Sequence, residues 1–131
     1  NDLLGLKLDP YERIFRLLRQ HVLIEKDKPI TRETLIEALR SGRSFIGFDV
    51  LGDTTGFRFG QCDVEALCVN SPAESRIALL KDGQKLTEDR GLSLKYGPYG
   101  KGVYRVEVYL DQLGPPFDKM PWIISNPIYV R

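Results

Sequence analysis

Apolar residues recur at helical spacing early in the chain and then change period. Tyr11, Ile14, Phe15, Leu18 and Val22 fall on one stripe, with Arg13, Arg16 and Gln20 on the opposite face. Asp9 is placed to cap, Pro10 fits a first helical position, and Glu12 stands where a capping-box acid would. The pattern predicts an amphipathic helix over residues 10–21 with a basic outer edge. Thr31 caps a second helix carrying Leu35, Ile36, Ala38 and Leu39, with Ile30 and Leu35 spaced as a hydrophobic staple and Gly42 as the stop.

Past Gly42 the period becomes close to alternating, which places a boundary near residue 43. Phe45, Ile46 and Phe48 lead into Asp49, and Phe57-Arg58-Phe59 follows a Gly52-Asp53-Thr54-Thr55-Gly56 turn. Glu65 to Val69 reads as a strand that breaks at Asn70-Ser71-Pro72. Asp82-Gly83 joins Ile77–Leu80 to Lys85–Thr87 as a hairpin, because Asp-Gly suits the primed turns that match strand twist. Leu92–Tyr96 is a further strand. A Gly-rich loop over 97–102 precedes Val103–Leu110, where Tyr104, Val106 and Val108 share one face and Arg105, Glu107 and Tyr109 the other. Gly114-Pro115-Pro116 opens a long connection, and Pro127–Arg131 closes the chain as a strand. Short strands at this spacing predict a mainly β fold, specifically an immunoglobulin-like β-sandwich preceded by two α-helices. Residues 1–43 form the helical segment and 44–131 the sandwich. Tyr104 sits where a tyrosine corner would, its hydroxyl bonded to nearby backbone.

Charge narrows the function. Across 131 residues, 19 Lys and Arg face 18 Asp and Glu for a net charge of +1, so no global field favours nucleic acid or an acidic membrane. No apolar run approaches the roughly 20 residues of a membrane helix. Cys62 and Cys68, six residues apart in an extended run, would lie ~20 Å from each other unless a turn intervenes, so two free thiols are expected. One histidine and two cysteines fall short of a zinc site and limit acid/base and triad schemes. His21 is expected to end the first helix against its C-terminal dipole rather than to bind metal. Asp49 and Asp53 read as turn caps, because the loop lacks the dense acids of calcium motifs. Ser71, Ser75 and Ser125 have no nucleophile elbow, and Gly97, Gly100 and Gly102 do not join a strand to a helix as a phosphate loop does. Tyr96, Tyr99 and Trp122 are the weak ligand-binding candidates: flat rings with a polar edge suit a sugar face, although such rings also seal sandwich ends. No catalytic, cofactor-binding or metal-binding residue is assigned. The sole methionine is Met120, so the chain is expected to be a piece of a longer protein.

Several stretches carry a resemblance: ITRETLIEALRSGRSFIGFD from Ile30 to Asp49, GFRF from Gly56 to Phe59, LLKDG from Leu79 to Gly83, KGVYRVEVYL from Lys101 to Leu110, and PWIISNPIYVR from Pro121 to Arg131. Together they resemble the C-terminal region of PHP-family (polymerase and histidinol phosphatase) metal-dependent phosphoesterases. The resemblance implies closing helices of a catalytic barrel followed by a small β-sandwich ending in a Ser-Asn-Pro-Ile-Tyr strand. The family's His-x-His metal motif has no counterpart here, so no catalytic residue carries over and any divalent metal belongs to an upstream domain. The implied role is that of a non-catalytic accessory domain whose partner is the upstream catalytic domain of the same polypeptide, or a second copy by self-association, and neither nucleic acid nor membrane. The alternative is a carbohydrate-binding or other ligand-binding module.

Overall fold

A computed structural model describes residues 2–3, 6–7, 19–22, 29, 31–40 and 44–131. Among them the chain is mainly β. Strands β1 (Asp2–Leu3) and β2 (Leu6–Lys7) pair as a minimal ladder of their own. All other strands join one antiparallel sheet: β3 (Arg19–Val22), β4 (Ser44–Gly47), β5 (Arg58–Asp63), β6 (Ala66–Lys81), β7 (Gln84–Tyr96), β8 (Gly102–Tyr109), β9 (Ile123–Ser125) and β10 (Ile128–Val130). The order runs β3-β4-β9-β8-β6-β5, with β10 added to β8 and β7 to β6.

One helix is described, α1 (Arg32–Arg40). Its start is a reciprocal cap. The Thr34 amide donates to the Thr31 hydroxyl at 3.2 Å, and the Thr31 amide to the Thr34 hydroxyl at 2.9 Å, so a threonine does the work of the usual capping-box acid. Ala38 is fully buried. The body of the expected first helix lies outside the described residues, as do Ile30 and Gly42, but its end is corrected. Arg19, Gln20, His21 and Val22 form β3 and pair with β4, with His21 opposite Phe45. The edge of β4 gives this backbone ladder partners along one side, which outweighs the weak helical preference of Gln-His-Val.

The expected break at Asn70-Ser71-Pro72 is also corrected. The chain stays extended through it as β6, and the ladder breaks instead: Asn70 pairs with Ser93, and the next pair is Ser75 with Gly91. Residues 71–74 of β6 therefore oppose a single residue of β7. A bulge of this size bends both strands. Gly91 takes φ 138°, a conformation that suits glycine. Before the bend β6 lies between β5 and β7; beyond it, between β8 and β7. Leu67, Val69 and Leu94 before the bend share one buried cluster with Ile77, Leu79, Val106 and Val108 beyond it, together with Phe45, Phe57, Trp122 and Ile123. Phe45 and Phe57 meet edge to face at 4.9 Å.

Side chains pin the loops to this curled sheet. Asp82 (φ 52°) and Gly83 (φ 84°) form the expected hairpin turn, and the Asp82 carboxylate accepts from the Val103 amide at 3.0 Å. Between β4 and β5, the Asp49 carboxylate accepts from both the amide and the hydroxyl of buried Thr54. Trp122 donates its Nε1 hydrogen to the Gly52 carbonyl at 2.8 Å, and the Trp122 carbonyl accepts from the Phe48 amide at 2.8 Å. The Ser125 hydroxyl accepts from the buried Val106 amide at 2.7 Å, and the Asn126 side chain bonds the Ser44 hydroxyl.

Tyr104 behaves as the pattern on β8 predicts. Its ring is 1% exposed, its hydroxyl donates to the Gly100 carbonyl at 2.9 Å, and Tyr99 meets it edge-on at 6.0 Å. Tyr104→Phe removes this part-buried hydrogen bond and is expected to lower stability by about 1 kcal/mol. Urea unfolding followed by tryptophan fluorescence measures it, and an unchanged midpoint would remove the corner from the account of stability.

Candidate functional site

The densest polar constellation sits at the bend, on the face of the sheet away from the core. Arg76 on β6, Tyr109 on β8 and Arg90 on β7 lie in one cross-strand row. Asp111 follows β8 in a short 3-10 turn over Asp111–Leu113. The Arg76 Nε reaches both Asp111 oxygens at 3.0 and 3.1 Å, and its Nη1 reaches Glu88 at 2.9 Å. Its guanidinium lies 4.4 Å from the centre of the Tyr109 ring. Arg90 adds a second cation to Asp111 at 3.2 Å, and Lys85 a weaker contact to Glu88 at 3.4 Å. The Tyr109 hydroxyl donates to Glu107 at 2.8 Å, and Arg105 pairs with Glu107 at 3.1 Å.

These groups form one ionic lattice, in which the buried Arg105 Nε alone lacks a hydrogen-bond partner among the groups named. The Arg76 guanidinium is held protonated even more firmly than usual, chiefly by its bond to Glu88, against the opposing effect of burial. The Glu88 carboxyl is held below its ordinary range by that same bond. Burial, reinforced by the bond to Glu107, pushes the Tyr109 phenol up to about 12. All three shifts favour the state that already prevails near neutral pH, which suits a structural lattice rather than a proton-transfer centre. A cavity of about 440 Å3 opens beside it, lined by Glu74, Ser75, Arg76, Arg90, Asp111 and Gln112.

A second cavity, of about 530 Å3, lies under the β5–β6 hairpin tip, lined by residues that include Asp63, Val64, Ala66, Lys95 and Pro98. Here the structure corrects the expected free thiols: Cys62 and Cys68 are joined by a disulfide, with Cα atoms 5.6 Å apart. Val64 and Glu65 turn the chain between them, so the two cysteines lie on neighbouring strands of a hairpin instead of along one strand. The polar Asp-Val-Glu stretch was the available signal for that turn.

The ring candidates separate. Tyr96 and Tyr99 are half-buried against the core on either side of Gly97 and Pro98, which line the 530 Å3 cavity. Trp122 is 1% exposed and bonded through its amide to Val108, toward the opposite end of β8 from Tyr104 and Tyr99. Its ring therefore offers no open face for stacking beside the two tyrosines. His21 is in a strand, as described above. Ser71 and Ser75 share a hydrogen bond at 2.9 Å inside the bend, and Ser71 also donates to the Ala73 carbonyl. Among the described residues no group of three or more His, Cys, Asp or Glu is placed to hold a metal, and no helix is long and apolar enough to cross a membrane.

The Arg76 lattice had no signal in the sequence, since Asp111 stands 35 positions from Arg76 and only sheet pairing joins them. No family model, curated protein or solved structure matches the chain.

The raised Tyr109 value has a definite sign. The folded state holds this proton more tightly than the unfolded chain, so the stabilisation is complete below about pH 10 and is lost as pH rises toward the folded value. In an absorbance titration one tyrosine is expected to ionise near 12, and that step should be absent in Tyr109→Phe. For Glu88 the sign is opposite. Its contribution is present above about pH 4.3 and lost as pH falls through the lowered folded value. The stability gap between the parent protein and Arg76→Met should therefore narrow in acid, as read from urea midpoints at pH 7 and pH 3.

Proposed function

We propose that the chain is a non-catalytic accessory region of a PHP-type metal-dependent phosphoesterase, in which residues from 44 onward form an immunoglobulin-like sandwich that packs on an upstream catalytic domain of the same polypeptide. The observation that carries this reading is the use made of the residues that bear the resemblance. Phe57 of the Gly-Phe-Arg-Phe stretch and Tyr104, Val106 and Val108 of β8 build the core. Trp122 ties down the loop after β4, Ser125 bonds β8, and Asn126 bonds Ser44. Asp82 and Gly83 make the hairpin turn. These motifs are spent on architecture, as expected where the chemistry resides in another domain.

A packing role also accounts for the apolar side chains left in the open. Val50 and Phe117 are 64% and 43% exposed, on the loops that follow β4 and β8 at the same end of the sheet. A divalent metal would be held by the upstream domain, and neither nucleic acid nor membrane is required as a partner. The purified chain, incubated with manganese or zinc and p-nitrophenyl phosphate, is expected to show no turnover and no stoichiometric metal by elemental analysis. Bound metal at one equivalent, with hydrolysis abolished by chelation, would overturn the assignment.

A second reading, a carbohydrate-binding module, draws on Tyr96 and Tyr99 flanking the segment that lines the 530 Å3 cavity. Chemical-shift changes confined to residues 63–66 and 95–99 on titration with oligosaccharides, and lost in Tyr99→Ala, would favour it over packing.

A further inference from the structure

β5 is the least anchored of the long strands. Its only neighbour in the sheet among the described residues is β6, and of its side chains only Phe59 packs against the buried cluster. Arg58, Gln61, Cys62 and Asp63 are exposed. The ladder runs from Arg58 opposite Asn70 to Gln61 opposite Leu67, and then shifts register before Asp63 meets Ala66. Cys62 is the residue skipped by that shift, so its place beside β6 is fixed by its sulfur. The tip is also held by the Tyr99 amide, which donates to the Glu65 carbonyl at 3.2 Å, by the Gln61 side chain, which donates to the Val64 carbonyl at 3.2 Å, and by a Lys95–Asp63 ion pair, 3.4 Å long between side chains 63% and 65% exposed. Pairs this exposed add little. The disulfide is the covalent restraint on the end of β5, and Val64 at the tip is 84% exposed.

The bond is also placed to be reached. Leu67 and Val69 face the core, which puts Cys68 on the outer face of β6, half-buried, with exposed Cys62 across from it. Lys95 is the ladder partner of Cys68 on β7, and its ammonium pairs with Asp63 at the same tip.

We propose that Cys62–Cys68 is a thiol–disulfide exchange site, and that its reduction by a dithiol reductant releases the end of β5 and the hairpin tip while the rest of the sheet stays folded. This goes beyond the accessory role and does not depend on it. A thiolate of the reductant attacks the exposed Cys62 sulfur, the Cys62–Cys68 bond breaks, and Cys68 leaves as thiolate and takes up a proton. The second thiol of the reductant then attacks its own sulfur in the mixed disulfide, freeing Cys62. Two electrons and two protons pass to the cysteines, and the dithiol is oxidised to its disulfide. The released segment includes Asp63, Val64 and Glu65, which line the 530 Å3 pocket, so reduction changes the shape of that pocket.

Hydrogen exchange of the whole chain, read by NMR with and without dithiothreitol, tests this. Amides of residues 61–65 are expected to exchange about tenfold faster or more after reduction, with those of Val106 and Val108 unchanged. The double variant Cys62→Ser/Cys68→Ser should reproduce the reduced pattern without reductant. Three results would overturn the proposal: a disulfide that resists millimolar dithiothreitol in the folded protein, reduction that leaves exchange over 61–65 unaltered, or reduction that speeds exchange throughout the sheet. Should the serine variant fail to fold, the comparison of oxidised and reduced parent protein decides among the same outcomes.

Discussion

The bend in β6 and β7 is the constraint on which the rest of the structure depends. β6 is bonded along both edges, and it exchanges β5 for β8 as a neighbour across residues 71–74. A straight antiparallel ribbon of this length would hold Leu67 and Val69 far from Ile77 and Leu79. Bent, it brings both pairs into one buried cluster with Phe57, Val106 and Trp122. Backbone groups that leave the ladder at a bend must find partners or water. Ser71 and Ser75 bond each other there, and Ser71 takes the Ala73 carbonyl. The Arg76 lattice then spans β6, β7 and the turn after β8 on the outer face, tying the bend to both neighbours.

A second theme is how few residues hold the loops. Trp122 fixes Gly52, Asp49 fixes Thr54, Asp82 fixes Val103, and Tyr104 fixes Gly100. Each is a polar atom on a side chain otherwise placed by the sheet or by an adjoining turn, so the loop inherits rigidity from that element. Charged groups that could do chemistry are instead paired among themselves at the bend.

The hairpin tip obeys a different rule. It lies beyond the buried cluster, and a covalent bond between two strand residues substitutes there for hydrophobic burial. A bond of that kind is independent of the packing that stabilises the sheet. The tip can therefore change its attachment without asking the core to change, which separates a local redox response from global stability.

Much of the architecture was legible along the chain because its signals are local. The Asp82-Gly83 turn, the alternation on β8, the Thr31 cap and the tyrosine corner each depend on residues within a few positions of one another, and each is found. What the sequence left undetermined depends on partners distant in the chain. Arg19–Val22 became a strand because β4 offered an edge, and Asn70–Ser75 stayed extended because β5 and β7 pair with the chain up to Asn70 and β7 and β8 take it up again from Ser75 and Arg76. Trp122 changed from a ring that could stack on a ligand to a buried latch because its hydrogen-bond acceptor is 70 positions away. Asp111 joined Arg76 for the same reason. The sequence by itself determined which segments extend, where the chain turns and which faces are apolar, since period and turn chemistry are properties of neighbours. The tertiary structure alone decided which strand meets which edge, which polar groups neutralise one another and which cysteines meet, because those contacts are set by the bend and not by any residue near them.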